Sequence, residues 1–232
     1  KPLSTEDLAK LSAFGQANHI HIYLQPNPPE PINLLWPQNI PHRLSYRLPD
    51  FNLEILFHPM DFTQIHVEIN RLMVKQAITL LDPQADENIL DLFCGVGNFS
   101  LPLSRSAKKV TGIEGSEIMV ERGYENAAHN AITNIEFYAA NLFELPVKAD
   151  WYNQTYQKIL IDPPRTGARE IVEQISRFNA KRIVYVSCNP ATLARDANIL
   201  VETQGYKLQK AGVMNMFPHT SHIEAMAVFE KE

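Results

Sequence analysis

From Asn88 to its end the chain alternates short, nearly continuous apolar runs with longer stretches whose apolar positions recur every three or four residues. The runs Ile89–Phe93, Lys109–Glu114, Ile135–Ala139, Lys158–Asp162 and Arg182–Ser187 predict strands, buried on both faces because they do not alternate with polar residues. Between them, helices are predicted at about Asn98–Ala107, Ser116–Asn130, Ala168–Phe178 and Pro190–Thr203, the second with Ser116 as N-cap and Glu117 in its first turn. Two further strands, Tyr206–Met214 and Ile223–Phe229, follow with no long helix between them, which predicts an antiparallel hairpin at one edge. Repeated βα units give an α/β fold: a mostly parallel seven-stranded sheet with helices on both faces.

The first sixty residues read differently. Prolines crowd there (Pro26, Pro28, Pro29, Pro31, Pro37, Pro41, Pro49, Pro59) and argue against long helices after Leu11. The runs Ile20–Leu24, Ile32–Leu35 and Leu53–Phe57 are candidate strands of a small antiparallel sheet. Residues 1–60 are therefore expected to form a small β-rich appendage leaning on a domain spanning 61–232. That domain opens with a strand or loop at Asp61–Val67, then a helix from about Glu68 to Leu81. Its apolar face is Ile69, Leu72, Met73, Ala77, Leu80 and Leu81, and Pro83 stops it.

Chemistry gathers where the apolar runs end, since open α/β sheets bind ligands at the carboxyl ends of their strands. The first run leads through Asp91 and Phe93 into Cys94-Gly95-Val96-Gly97-Asn98-Phe99-Ser100. Gly95 and Gly97 let backbone approach a ligand; Ser100 stands where the third glycine of a dinucleotide fingerprint would fall. Glu114 ends the second strand, the place for an acid that holds a ribose diol. The third strand leads to Asn141, which can also make an Asx turn. The fourth ends in Asp162-Pro163-Pro164-Arg165 and the fifth in Ser187-Cys188-Asn189-Pro190. Together these polar ends point to a ribonucleoside-type cofactor.

Asn189 is a good N-cap and Pro190 a good first helical residue, so Cys188 lies just outside a helix N-terminus, where the dipole favours a thiolate. Cys94, inside the glycine turn, reads as a packing residue. Asp-Pro-Pro followed by an aromatic residue looks like amino-methyltransferases, but Arg165 replaces the aromatic and a nucleophile-like cysteine follows on the next strand. The stretch from Met216 to Glu224 carries His219, His222 and Glu224. These three ligands lack a distal fourth, so no metal is expected, and Glu224 reads either as a general base or as a surface carboxylate.

Composition narrows this modestly. The chain has 232 residues, net charge −5 and two cysteines, which excludes a disulfide framework and argues against a dedicated, strongly basic nucleic-acid binder. No run approaches membrane-spanning length, no signal peptide is visible, and the cytoplasm is the default location. No protein partner can be inferred.

With these residues assembled, the chain resembles the RNA (uracil-5-)-methyltransferase family, closest to members that act on 23S ribosomal RNA. The matching segments are Leu90–Phe99, Asp162–Arg165, Val186–Asp196 with its Ser-Cys-Asn-Pro-x-Thr core, and Met216–Glu224. The resemblance covers roughly residues 60–230 and implies a Rossmann-like class I methyltransferase fold. It implies S-adenosylmethionine held by Gln64, Phe93, Asn98, Glu114, Asn141 and Asp162, with Cys188 as nucleophile and Glu224 as base. His219 or His222 is the alternative base, in the same loop. Family members of this type also carry an N-terminal RNA-binding barrel and cysteines for a [4Fe–4S] cluster. Neither is found in these residues, so the chain is expected to be a catalytic fragment, with a cluster only in a full-length protein. The substrate implied is a uridine of 23S ribosomal RNA. Alternatives are another RNA uridine such as one in tRNA, amino-group methylation at Asp-Pro-Pro-Arg, and a non-catalytic nucleoside- or RNA-binding module.

Overall fold

The computed structural model describes residues 2–25, 32–38, 43–144, 148–220 and 222–232. The chain separates into two compact units, residues 1–45 with 57–62, and residues 46–56 with 63–232.

The first unit carries helix α1 (Thr5–Asn18) and strands β1 (Ile22–Leu24) and β2 (Asn33–Trp36), which pair antiparallel. The helix runs past Leu11, against the expectation from proline content. Its start is fixed by a capping box in which Ser4 Oγ accepts from the Asp7 N–H and the Asp7 carboxylate accepts from the Ser4 N–H. The prolines that would break a helix begin only at Pro26, and Pro26, Pro28, Pro29, Pro31 and Pro41 lie outside the described residues.

Strands β3 (Leu44–Leu48) and β4 (Leu53–Phe57) form a two-stranded sheet, and the hairpin segment 46–56 groups with the second unit. Helix α2 (Val67–Leu81) follows, its first turn capped by His66 Nδ1, which accepts from the Ile69 N–H. Its buried stripe is Asn70, Met73, Val74, Ala77, Ile78 and Leu81. Leu72, expected on the buried face, is 64 % exposed. The face is rotated because it includes a polar residue, Asn70, that hydrophobicity alone does not select.

The main sheet contains β5 (Asn88–Leu92), β6 (Lys109–Glu114), β7 (Ile135–Ala139), β8 (Lys158–Ile161), β9 (Arg182–Ser187), β10 (Lys207–Met214) and β11 (Glu224–Glu230). Their order is β10-β11-β9-β8-β5-β6-β7, with β5 through β9 parallel and the β10–β11 hairpin antiparallel at one edge. This is the expected seven-stranded α/β sheet. Successive side chains of one strand enter opposite cores. Val184 and Val186 of β9 join α2, α3 (Ser100–Ser104) and α4 (Glu117–His129), while Ile183 and Tyr185 join α5 (Arg169–Val172) and α6 (Pro190–Glu202). Burial on both faces is why β5, β6, β8 and β9 read as continuous apolar runs, while the edge strand β10 is exposed.

Three helices around the main sheet differ from expectation. α3, expected over about Asn98–Ala107, spans only Ser100–Ser104. α5 is one turn only, followed by a separate 3₁₀ turn at Ile175–Phe178. Ser116 is the N-cap of α4 by position, but its hydroxyl makes no cap bond.

Candidate active site

The chain leaves β5 toward β6 and β7 on one side, and β8 toward β9 on the other, so the strand order reverses between β5 and β8. A crevice at the carboxyl ends is expected there. The register shows what lines it. Leu92 of β5 is opposite Ile113 of β6 and Ile161 of β8, so the next residues out, Phe93, Glu114 and Asp162, share one rim. Ala225 of β11 is opposite Ser187 of β9, which sets Glu224 across from Cys188. An antiparallel strand in an otherwise parallel sheet thus brings its first residue to the rim where the others end.

The turn after β5 is tightly wound, with Phe93 at φ +65°, Gly95 at +53° and Gly97 at +95°. A Cβ on Gly95 would meet no atom within 4 Å, which leaves that stretch of backbone open to a ligand. Gly97 is favoured for a different reason: its φ of +95° strains any residue with a Cβ, and a Cβ there would also press on Leu101 Cδ1 at 2.8 Å. Glu114 braces the turn, its two oxygens accepting the Gly95 N–H at 3.0 Å and the Ser116 N–H at 3.1 Å. Ser100, in the slot of the third glycine, donates its hydroxyl to Asp91 Oδ2. Asp91 is fully buried and its Oδ1 has no partner. Burial pushes its carboxyl up to about 7, opposed by the Ser100 hydrogen bond and reinforced by Glu114. Cys94 packs in this turn, its thiol held far above the usual range by burial and by Asp91 and Glu114.

The other half of the rim is also acidic. Burial, Glu224 and Asp91 push the Asp162 carboxyl up to about 8. Burial raises Glu224, opposed by the Arg165 guanidinium. Cys188 sits as expected before α6, where Asn189 Oδ1 accepts from the Ala191 N–H at 3.1 Å and Pro190 opens the helix. Its thiol is nonetheless raised, not lowered. Burial and the carboxylates of Glu224 and Asp162 outweigh the Arg165 guanidinium and the hydrogen bonding at Cys188. A helix N-terminus is a fraction of a charge, and burial together with two nearby acids exceeds it.

Arg165 is tied to both loops. Its carbonyl accepts from Asn189 Nδ2 at 2.9 Å and Thr192 Oγ1 at 3.3 Å, and its guanidinium donates to His222 Nδ1 at 2.7 Å. Arg195, in the matched segment Val186–Asp196, is committed to the same loop as Arg165. It donates to Asp196 Oδ1 at 2.8 Å and to the Thr166 carbonyl at 2.9 Å. Buried Asp196 also accepts from Tyr185 Oη at 2.6 Å and the Ala168 N–H at 2.8 Å, so Arg195 and Asp196 clamp the loop after Asp162. Gly167 in that loop has φ +79°, and a Cβ there would come within 2.7 Å of Asp196 Oδ2.

The remaining candidates lie around this rim. Asn141, two residues past β7, is exposed and makes an Asx turn, its Oδ1 accepting the Phe143 N–H at 3.0 Å. The Phe143 ring lies 5.9 Å from that of Phe93. Gln64 is half-buried in the loop before α2. Asn98 faces α2 and β3: its Oδ1 accepts from Tyr46 Oη at 2.8 Å and Asn70 Nδ2 at 3.1 Å, and its Nδ2 donates to Asn70 Oδ1 at 3.0 Å. Sequence reasoning missed Tyr46 and Asn70. The available signal for Asn70 was its place in the i, i+3, i+4 series of the buried stripe.

Known proteins share this fold and much of this sequence. A solved structure of Pyrococcus abyssi tRNA (uracil-54, C5)-methyltransferase in complex with S-adenosyl-L-homocysteine is 30% identical, with a TM-score of 0.69 over 82% of this chain and 44% of that one. M. jannaschii TYW2 in complex with AdoMet, 16% identical, shares the fold at a TM-score of 0.62, over 87% of this chain and 91% of that one. Among curated proteins, the 23S rRNA (uracil(1939)-C(5))-methyltransferase RlmD of Hahella chejuensis is 59% identical over 99% of this chain. That of Francisella tularensis is 54% identical over the whole chain. In both cases 52% of the relative is covered, so the chain spans about half the length of the curated relatives it matches. The family described as tRNA (Uracil-5-)-methyltransferase matches residues 45–232, which include the glycine turn, the acidic rim and the Cys188–Glu224 pair, and it is to this family that the chain belongs.

Proposed function

We propose that this chain is the catalytic part of an S-adenosylmethionine-dependent enzyme that methylates C5 of a uridine in 23S ribosomal RNA. Catalysis is assigned to residues 61–232 together with the hairpin segment 46–56 that groups with them, the rest of 1–60 being the appendage. The observation that carries the reading is a cysteine set across from a buried glutamate at the mouth of an acidic crevice. C5 of uracil is a weak nucleophile. It needs a thiolate at C6 to activate it and a base to remove its proton, and this pair supplies both. The names of the relatives point to the same bond and to 23S ribosomal RNA.

The crevice fits the methyl donor. Its carboxylates, Asp91, Glu114, Asp162 and Glu224, include one buried oxygen without a partner, and such a set favours a ligand with cationic sulfonium and ammonium groups. Glu114 retains acceptor capacity beyond its two backbone bonds, suited to ribose hydroxyls, while Gln64, Phe93, Asn98, Asn141 and Asp162 complete the binding set. The donor supplies an electrophilic methyl group. On this reading a bound cation also relieves the acids that hold the Cys188 thiol up. The Cys188 thiolate adds to C6, and the electron pair of the C5–C6 double bond passes to C5 and O4. After C5 has gained its methyl group, Glu224 takes the C5 proton, the double bond re-forms and the thiolate leaves. His222 is engaged by Arg165, which favours Glu224 as the base. A [4Fe–4S] cluster needs four ligands, commonly thiolates, which the two cysteines of this chain do not supply, and no step is drawn through one. Among the described residues no helix is long and apolar enough to cross a membrane.

The test is the adduct. Glu224→Gln, incubated with 23S-derived stem-loop RNA and S-adenosylmethionine, should accumulate a protein–RNA species that survives denaturing electrophoresis, and Cys188→Ala should form none. If neither this variant nor wild type with 5-fluorouridine RNA ever yields an adduct, carbon methylation through Cys188 is wrong. Amino-group methylation would then replace it.

A further inference from the structure

We infer that Tyr46 and Asn70 are positioning residues for the methyl donor, acting through Asn98 of the glycine turn. The inference rests on the donor-site reading above. Asn98 carries two amide hydrogens and one oxygen with two lone pairs. Both lone pairs are used, one by Tyr46 Oη at 2.8 Å and one by Asn70 Nδ2 at 3.1 Å. One hydrogen is used on Asn70 Oδ1 at 3.0 Å. The side chain can therefore offer a ligand a single N–H and no acceptor, and these bonds set its direction.

The partners are built for this. Asn70 is 2 % exposed and occupies the buried stripe of α2 one helical turn after its N-cap, His66, with Gln64 in the loop just before. The reciprocal amide pair links the segment carrying Gln64 to the turn carrying Phe93 and Asn98. The Tyr46 hydroxyl is held neutral, burial pushing it well above the ordinary phenol range, so it remains a donor. Tyr46 itself is anchored with its hairpin. Asn126 of α4 takes the Leu56 N–H at 2.7 Å and donates to the Leu56 carbonyl at 3.0 Å and the Val96 carbonyl of the turn at 3.1 Å. Asn130, one turn on, bonds the Glu54 N–H and carbonyl at 3.0 and 2.8 Å. Spacing of four on the helix matches spacing of two on β4, so two amide side chains bond the strand as a neighbouring strand would. The hairpin is thereby fastened to the glycine turn at Asn98 and at Val96.

Isothermal titration with S-adenosyl-L-homocysteine, paired with thermal unfolding of each ligand-free protein, separates positioning from stability. Tyr46→Phe, which removes one oxygen, should weaken binding about 3- to 10-fold, the worth of one hydrogen bond. Asn70→Ala should weaken it at least as much, with partial recovery in Asn70→Asp, which keeps the acceptor for Asn98 Nδ2. Asn130→Ala cuts two bonds of the same hairpin without touching Asn98; it should lower the melting temperature and leave the affinity unchanged. The inference is overturned if Tyr46→Phe binds like wild type, or if Asn130→Ala loses affinity in the same proportion to its melting temperature as Tyr46→Phe. Glu114→Ala distinguishes the two levels. If it loses affinity while Tyr46→Phe does not, the positioning role alone falls; if wild type shows no binding, the donor site and the inference fall together.

Discussion

The two ends of the main sheet treat charge in opposite ways. At the amino ends of the parallel strands, acids meet bases. Lys158 Nζ lies 2.8 Å from Glu87, Arg182 Nη2 2.5 Å from Glu230, and Lys207 Nζ 2.8 Å from Glu232, around a cleft of about 400 Å³. At the carboxyl ends Asp91, Glu114, Asp162 and Glu224 crowd together, and two of them are pushed up to about 7 and about 8. Arg165 is the cation felt by both Glu224 and Cys188. A chain selected for stability alone would pair both ends. Leaving one end with more acids than bases costs stability, and such an arrangement persists where a ligand of opposite charge completes it.

This contrast can be broken at the paired end first. Lys158→Met removes the cation that pairs with Glu87 in a largely buried setting, leaving it only the Gln84 N–H, and should cost about 2–4 kcal/mol in chemical denaturation, while S-adenosyl-L-homocysteine binds as before. Loss of binding would show that the two ends are not independent. At the acidic end, Glu114→Ala should do the reverse. It should lose about 1.5–3 kcal/mol of ligand affinity, the scale of a hydrogen bond to a charged group. Equal binding by calorimetry would remove Glu114 from the donor site.

The pH dependence gives a smaller effect with a definite sign. An aspartate titrates near 3.9 when unfolded, whereas folded Asp162 titrates at about 8. Between those values the native state holds a proton that the unfolded chain has lost, so stability falls as pH rises from about 4 to about 8. Asp162→Asn should flatten that slope and raise stability at pH 8 by at least about 1 kcal/mol, or roughly 2–4 °C in melting temperature for a chain of this size. An unchanged slope would mean that Asp162 is not held protonated. The finest test uses Cys188 as reporter. In iodoacetamide alkylation, Asp162→Asn should move the onset of reaction to lower pH and Arg165→Met to higher pH, with Cys188→Ala as the blank. Shifts in the other direction would contradict the electrostatic account of the thiol.

Much of this was legible in the residues themselves. Apolar runs marked the central strands β5, β6, β8 and β9, because strands buried on both faces carry little else, whereas the edge strand β10 is exposed and was legible only from its place beside the last strand. The strand ends then named Phe93, Glu114, Asp162 and Cys188, which the register does set on one rim. Helix boundaries were less secure. α1 formed where proline content argued against it, and the helix expected at Ala168–Phe178 divided into α5 and a 3₁₀ turn.

What the sequence alone determined is what depends on neighbours along the chain: the period of burial, the left-handed turn that needs Gly95, and the Asn189–Pro190 start of α6. What only the tertiary structure decided is what depends on distance through space. The Cys188 environment is the plain example, since its local signal, a helix N-terminus, favoured a thiolate. Burial in the folded crevice, together with the carboxylates of Glu224 and Asp162, remote in sequence from Cys188, reversed that direction. The bonds from Tyr46 and Asn70 to Asn98 span 52 and 28 positions, and no periodicity records them. Charge and hydrogen bonds act at close range in space, whatever the separation along the chain.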